Sequence, residues 1–384
     1  MKILIVRPFP SLLDVRQNTY NIQEIGLAKA LNRRGCQTDL LFWTDGEEAE
    51  ITIPVEGGAS VRVFYRKAFS KLKNAWYPKF DAMAEQYDVI QTAEYNQMFS
   101  WHLAGKYPQK TIIYHGPYAC SFNKNYNRMC RVFDLLFLNR YRKKRTPFLV
   151  KSELARQFLL GKGIRDEDIS VAGVGIDIQA LETGKDAEPS EAENRMAAQT
   201  DGLKLLYIGR IEPRRDPFFV LDILENVRKT DAQAKLYIIG DGETEYVAQV
   251  RQAMREKGLE DCIFWQKKAR QPQLKGVYQQ ADFFLLPTEY EIFGMVLLEA
   301  MYFGALVLTT PNGGANMLVR DGENGFVLPK DDARKWARCM LELRSSSERR
   351  TQMQIQAHEC IAQDFTWDKL AEGFLVRYAM LNRR

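Results

Sequence analysis

Residues 282–310 read DFFLLPTEYEIFGMVLLEAMYFGALVLTT. A short apolar run, DFFLLP, ends at Pro287. A loop through Phe293-Gly294 follows, then an apolar segment of helical length, then a second short run, LVLTT at 306–310. Apolar runs of strand length separated by a helix imply neighbouring strands of a parallel sheet covered on both faces. Within the helix stands Glu299, flanked by Leu298 and Ala300. A carboxylate in such a place is costly to bury unless something bonds it.

The same rhythm runs outward in both directions. Upstream of 282 come KLLYIG (204–209), KLYIIG (235–240) and CIFWQ (262–266), and downstream GFVLP (325–329), with helix-like stretches such as FFVLDILENVRK after the first. The first half has its own series: KILIV (2–6), TDLLFW (38–43), VRVFY (61–65), DVIQT (88–92), TIIYH (111–115) and FLVKS (148–152). Between the first two, Ile22, Ile25, Ala28 and Leu31 mark one helical face, which Gly35 ends. The chain is therefore expected to be α/β, with two Rossmann-like doubly wound domains facing across a cleft. Their boundaries are read as 1–180 and 203–360, joined by a polar linker at 181–202. The remaining 361–384 includes FTWDKLAEGFLVRYAML, where Phe374, Tyr378 and Leu381 share a face, and this helix is expected to pack across the domain junction.

Composition sets bounds. The length of 384 residues suits about two domains. Apolar residues make up 46% and charged residues 27%, ordinary for a globular protein. No apolar run approaches the roughly 20 residues of a membrane span. The opening MKILIVRPFP fits a buried strand better than a signal peptide, so a cytoplasmic protein is expected. The cysteines (36, 120, 130, 262, 339, 360) show no metal spacing and read as reduced packing residues. Charge is uneven: residues 1–180 hold 26 Lys and Arg against 18 Asp and Glu, and residues 181–384 hold 28 against 31. Residues 101–150 hold ten basic side chains and one acid. Such a patch suits phosphates, an anionic membrane surface or plain solvent. No nucleic-acid motif accompanies it, so no nucleic-acid partner is expected.

In α/β folds of this kind ligands sit at the carboxyl ends of the strands. The candidates there are few. Glu291 either closes a capping box with Thr288 or serves a ligand. Gly294 lets a ligand approach the backbone, and a helix starting there aims free N–H groups at a phosphate. Two turns later, Glu299 could accept two hydroxyl hydrogen bonds, as from a ribose. In YIGRIEPRRDPFFVLDIL (207–224), Arg210, Arg214 and Arg215 follow a strand end, where Arg210 and Arg215 can hold a diphosphate. Gly240-Asp241-Gly242 and Asn312-Gly313-Gly314 end two more strands, and each is either a ligand loop or an ordinary turn. His115 ends TIIYH and is structural unless its surroundings say otherwise.

Taken together, these residues resemble the family 4 glycosyltransferases of GT-B fold. The segment TEYEIFGMVLLEAMYFGALVLTTPNGGANMLVRDGENGFVLP (288–329) is similar to that family's signature of two glutamates with seven residues between them, then Glu-Ala-Met, a Gly-Gly pair and Asp-Gly-x-Asn-Gly. The resemblance implies a retaining transfer from a nucleotide-sugar donor to a glycan or lipid-linked glycan acceptor, with no metal and no other cofactor. It implies that Arg210 and Arg215 hold the diphosphate and that Glu291 and His115 meet the donor sugar. Phe293, Gly294, Met295 and Val296 would offer backbone groups, Glu299 would hold the ribose, and Arg214, Gly240 and Asp241 would line the donor site. In PSLLDVRQNTYN (10–21), Arg16, Gln17 and Asn18 are the acceptor-loop candidates. The sequence departs from the family in three places: Arg215 stands where Lys is usual, residues 10–21 lack a Gly-Gly pair, and Met317 replaces a common Glu. A non-catalytic nucleotide-sugar-binding partner and a GT-B epimerase or phosphorylase are the alternatives. A dinucleotide oxidoreductase is disfavoured because no G-x-G-x-x-G follows the first strand.

Overall fold

The computed structural model describes residues 1–9, 15, 22–71, 74–182 and 188–381. They form two units, Met1–Asp177 together with the segment from Phe365, and Ile178–Asp364. Along the first unit run β1 (Lys2–Val6), α1 (Gln23–Arg33), β2 (Gln37–Thr44), β3 (Ala49–Pro54), β4 (Ser60–Lys67), β5 (Phe69–Lys71), β6 (Asn74–Trp76), α2 (Phe80–Ala84), β7 (Val89–Ala93), α3 (Met98–Lys106), β8 (Thr111–His115), α4 (Lys124–Lys144), β9 (Phe148–Val150), α5 (Glu153–Leu160) and β10 (Ile169–Val171). The second holds α6 (Ile178–Glu182), α7 (Glu191–Ala198), β11 (Lys204–Ile208), α8 (Pro217–Arg228), β12 (Lys235–Ile239), α9 (Thr244–Glu256), β13 (Ile263–Gln266), α10 (Gln271–Gln280), β14 (Phe283–Leu286), α11 (Met295–Tyr302), β15 (Leu306–Thr309), α12 (Ala315–Leu318), β16 (Phe326–Val327), α13 (Ala333–Arg344) and α14 (Ser347–Asp364). The chain then returns to the first unit as α15 (Trp367–Leu381).

The sheet of the first unit has the order β10-β9-β8-β7-β1-β2-β4-β3, parallel except that β3 runs antiparallel to β4. Its central strands are buried on both faces; Ile3, Leu4, Ile5 and Val6 of β1 are at most 2% exposed, which is why they read as a continuous apolar run. Strand β3 differs. Glu50, Thr52 and Pro54 face outward in alternation, so this edge strand carried no continuous apolar signal, and its proline sits where no ladder bond is lost. The second unit's sheet has the order β13-β12-β11-β14-β15-β16, all parallel. This is the doubly wound order, in which the chain reverses direction across the sheet between β11 and β14. Leu205, Leu236, Phe283 and Leu306 fill the core beneath α8 and α13, with Trp336 fully buried among them. Among the described residues no helix is long and apolar enough to cross a membrane.

Two boundaries read from the sequence need correction. The polar segment 181–202 is not a bare linker. Ser190 caps α7 by accepting from the Glu193 amide at 3.1 Å, and Ala192 and Met196 of that helix are buried. The Ala192 amide donates to Gln266 Oε1 at 3.1 Å, and Tyr237 Oη donates to Gln199 Oε1 at 2.9 Å, so the segment is built into the second unit. The buried pair Ala192 and Met196, four residues apart, shares one helix face, which a composition reading misses. At the other end, the helix from Trp367 belongs to the first unit. Arg33 on α1 grips Asp368 with two bonds of 2.8 Å, and Tyr378 Oη donates to Gln91 Oε1 at 2.6 Å.

The closest point of that packing is Gly26. A Cβ there would fall 2.2 Å from Cδ1 of Trp367, which is 1% exposed. Gly26→Ala is therefore expected to destabilise the protein by about 1–3 kcal/mol, the cost of overpacking. On α15, Gly373→Ala meets nothing within 4 Å and should be neutral or slightly stabilising through helix propensity. Denaturant midpoints of the two variants check this; a wild-type midpoint for Gly26→Ala would refute the packing argument.

Candidate functional site

The strand order of the second unit brings the loops after β11 and β14 side by side, and Arg214, Arg215 and Glu291 meet there. The loop after β11 turns at Pro213–Arg215, and Asp216 then caps α8 by accepting from the Phe219 amide at 3.1 Å. This leaves Arg214 and Arg215 pointing across to the loop after β14. Arg215 Nη2 lies 3.0 Å from Glu291 Oε2, and Arg214 Nη1 lies 3.3 Å from the same oxygen. Arg214 also holds Glu212 Oε1 at 2.7 Å and donates to the Tyr290 carbonyl. The backbones join as well, the Glu289 amide donating to the Arg214 carbonyl at 2.8 Å. The three partners Arg214, Arg215 and Glu291 are 13–21% exposed, so their charges interact more strongly than surface pairs would. Burial alone would lower the Arg214 pKa; Glu291 and Glu212 outweigh it and raise it.

Glycines permit this approach. A Cβ on Gly209 would fall 2.3 Å from Arg215 Nη1, and one on Gly240 would fall 1.9 Å from the Gly209 carbonyl. Gly313 and Gly314 let their loop rest on the Glu291 loop: a Cβ on Gly314 would lie 1.4 Å from the Phe293 carbonyl. These pairs therefore serve close backbone packing under the site. Asp241 is turned outward and bonds its own turn, accepting from the Gly242 amide at 3.0 Å.

Glu291 closes no capping box. Thr288 Oγ1 donates to the Tyr290 carbonyl at 3.1 Å, and the helix begins only after Gly294, whose φ of 82° favours glycine. No side chain caps α11, so Met295 and Val296 present first-turn amides next to the guanidinium cluster. Phe293 is buried beneath them. Glu299 is fully buried. Tyr278 Oη donates to its Oε2 at 3.1 Å, while Oε1 has no partner among the described residues.

Arg210 does not join the cluster. Its side chain is 72% exposed and lies 3.8 Å from Glu212. Arg214, rather than Arg210, is the second guanidinium at Glu291. Two further residues went unnoticed in the sequence. Glu212 holds Arg214, and Lys330 bridges Asp216 at 2.8 Å and Glu289. Lys330 follows β16 at the same sheet edge, so the strand-end rule could have found it.

His115 lies in the first unit, at the end of β8, and is fully buried. Its Nδ1 lies 2.7 Å from Glu94 Oε2, and its Nε2 has no partner among the described residues. Burial would raise the Glu94 carboxyl, but the bond to His115, the nearby Lys151 and the Gly116 amide bring it below the usual range. Glu94 holds a left-handed φ of 62°, uncommon for a residue with a Cβ. The acceptor-loop candidates Arg16, Gln17 and Asn18 lie outside the described residues.

Residues 25–180 match the family model described as Glycosyltransferase Family 4, and residues 190–359 the one described as Glycosyl transferases group 1. The chain belongs to the family 4 glycosyltransferases. Relatives of this family 4 chain include a D-inositol 3-phosphate glycosyltransferase of Frankia alni, 28% identical over 55% of this chain and 52% of that protein. Another is a lipopolysaccharide 1,2-N-acetylglucosaminetransferase of Salmonella typhimurium, 28% identical over 57% of this chain and 59% of that protein. The chain spans about half the length of the curated relatives it matches. Among solved structures, HepE of Anabaena in complex with UDP superposes with a TM-score of 0.73 at 19% identity, covering 99% of this chain and 100% of that one. Sucrose-phosphate synthase of Thermosynechococcus elongatus does so with a TM-score of 0.73 at 16% identity, covering 99% and 98%. These likenesses show the GT-B fold.

The state of Glu299 can be tested directly. Burial pushes its carboxyl well above the usual range. A folded protein that keeps a proton its unfolded chain has lost is most stable below the unfolded pKa of about 4.3, and loses stability as pH rises toward the folded value. Glu299→Gln needs no proton. Its melting temperature should therefore exceed wild type at pH 8, and the gap should shrink as pH falls and close only below about pH 4. A variant less stable than wild type at pH 8 would contradict the burial argument.

Proposed function

We propose that this chain is a retaining, metal-independent glycosyltransferase. It moves a hexosyl group from a UDP- or GDP-sugar to an acceptor hydroxyl of a growing surface polysaccharide or glycolipid. The observation that carries this reading is the meeting of Arg214 and Arg215 with Glu291 at the uncapped start of α11. Two guanidiniums beside free helix-end amides suit a diphosphate. A carboxylate released from them suits sugar hydroxyls, and the buried Glu299, with one oxygen unpartnered among the described residues, suits a ribose. The UDP, and the UDP-glucose, bound by the Anabaena protein favour a uridine donor.

As the anomeric C–O bond to the diphosphate breaks, negative charge grows on the departing oxygens. Arg215, drawn from Glu291 to that charge, and the α11 amides stabilise it in place, the kind of preorganised electrostatics that dominates such reactions. The acceptor oxygen forms the new bond on the same face, and its proton passes to the departing diphosphate. No protein nucleophile is needed, since Glu291 serves as a hydrogen-bond acceptor. Arg215 replaces the more usual lysine with a fork that can hold phosphate and carboxylate oxygens together.

Arg215→Ala and Arg214→Ala should each lower kcat about 10²–10³-fold. Arg215→Lys should retain most of the rate if charge alone matters. Calorimetry with UDP and GDP reports donor binding apart from turnover. Two alanine variants with normal turnover would dismiss the diphosphate assignment, and an inverted product anomer by NMR would dismiss retention. Transfer should continue in EDTA; loss restored by Mg²⁺ would argue against a metal-independent reaction.

A further inference from the structure

Helix α4 turns Cys130, Phe133, Leu138 and Tyr141 into the first unit's core. Its outer side carries Met129, Val132, Leu135 and Leu136, exposed by 53%, 57%, 85% and 63%. Aliphatic residues so placed form a stripe along the helix, unlike the scattered apolar residues of ordinary surfaces. Exposed Lys124, Arg128, Arg131 and Lys143 edge it. The one acid in the helix, Asp134, is turned away, bonded by Lys162 and by Tyr95 Oη at 3.2 Å.

A second apolar projection stands nearby. The β5–β6 hairpin exposes Phe69 by 75% and Trp76 by 39%, with Lys67 and Lys79 exposed at its base. Helix α3 joins the two. The Trp76 ring lies 4.6 Å from that of His102, and the adjacent Trp101 carries the Arg140 guanidinium of α4 at 3.3 Å. The hairpin and α4 thus flank the outer side of one helix.

We propose that this surface docks the protein on an anionic lipid bilayer, with the hairpin and α4 as two points of insertion. The apolar side chains stand highly exposed on one helix face and one hairpin, ringed by cations, which suits a fluid hydrocarbon phase under charged headgroups. The cations at their margins match anionic headgroups. Nucleic acid would use the cations but not the aliphatic stripe. The inference deepens the proposed function, because a lipid-carried acceptor would stand at such a surface, and it rests on that reading only for its purpose.

The test is cosedimentation of the full chain with vesicles of phosphatidylglycerol and phosphatidylcholine in equal parts, without donor or acceptor. Wild type should pellet with them, and about ten-fold more weakly with phosphatidylcholine alone or in high salt. Phe69→Ser and the double variant Leu135→Ser/Leu136→Ser, all at exposed positions, should keep the wild-type melting temperature and each lose about ten-fold in vesicle affinity. A wild type that stays in the supernatant, or apolar variants that bind vesicles as well as wild type, would overturn the proposal. So would binding of single-stranded RNA as tight as vesicle binding and unaffected by the apolar changes. UDP and GDP calorimetry on the same proteins keeps the outcome separate: failure to bind vesicles with normal nucleotide binding rejects the docking surface and leaves the transferase reading intact.

Discussion

One oxygen of Glu291 holds two guanidiniums, and that junction fixes what the edge of the second sheet can do. Arg214 and Arg215 come from the loop after β11, and Glu291 from the loop after β14. The strands are far apart in sequence, yet the sheet places them as neighbours. Three charges gathered at such low exposure require balance, and Glu212 supplies the fourth. The cluster is therefore neutral as it stands and held ready by its own members. Under the proposed reading, an incoming diphosphate would compete with Glu291 for Arg215 and free a carboxylate beside itself.

The two glutamates of the opening stretch show how one spacing yields two environments. Glu291 precedes the helix and lies against two guanidiniums. Glu299, inside the helix, has a tyrosine hydroxyl on one oxygen and, among the described residues, nothing on the other. Desolvation favours its neutral form, whereas Glu94 in the first unit, also largely buried, is held ionised by its neighbours. Partners, more than burial, decide which of these carboxylates carries charge.

The strands that proved easiest to read were those buried on both faces, because their apolar runs leave little choice of interpretation. All six strands of the second sheet fell within apolar runs, the half-buried edge strands β13 and β16 included. Edge strand β3 and the β5–β6 hairpin escaped, since exposed sides break the runs. The candidate residues could be picked out through their place at strand ends. The direction of each side chain was not: Arg210 and Arg214 sit in the same loop, and only the turn at Pro213 decides which reaches Glu291. Likewise, the glycines of 313–314 announce a special backbone position without saying whether a ligand or another loop lies against it.

The return of α15 to the first unit bears on how the protein is made. A ribosome delivers β1 to β10 early, but Trp367, Phe374 and Tyr378, which complete the packing on α1 and the adjacent strands, come only after residues 178–364 have been added. At about 5–20 residues per second, that delay is roughly 10–40 s. During it the face of α1 around Gly26 and Leu27 stands uncovered in the nascent chain, while the second unit, contiguous in sequence, can finish folding first.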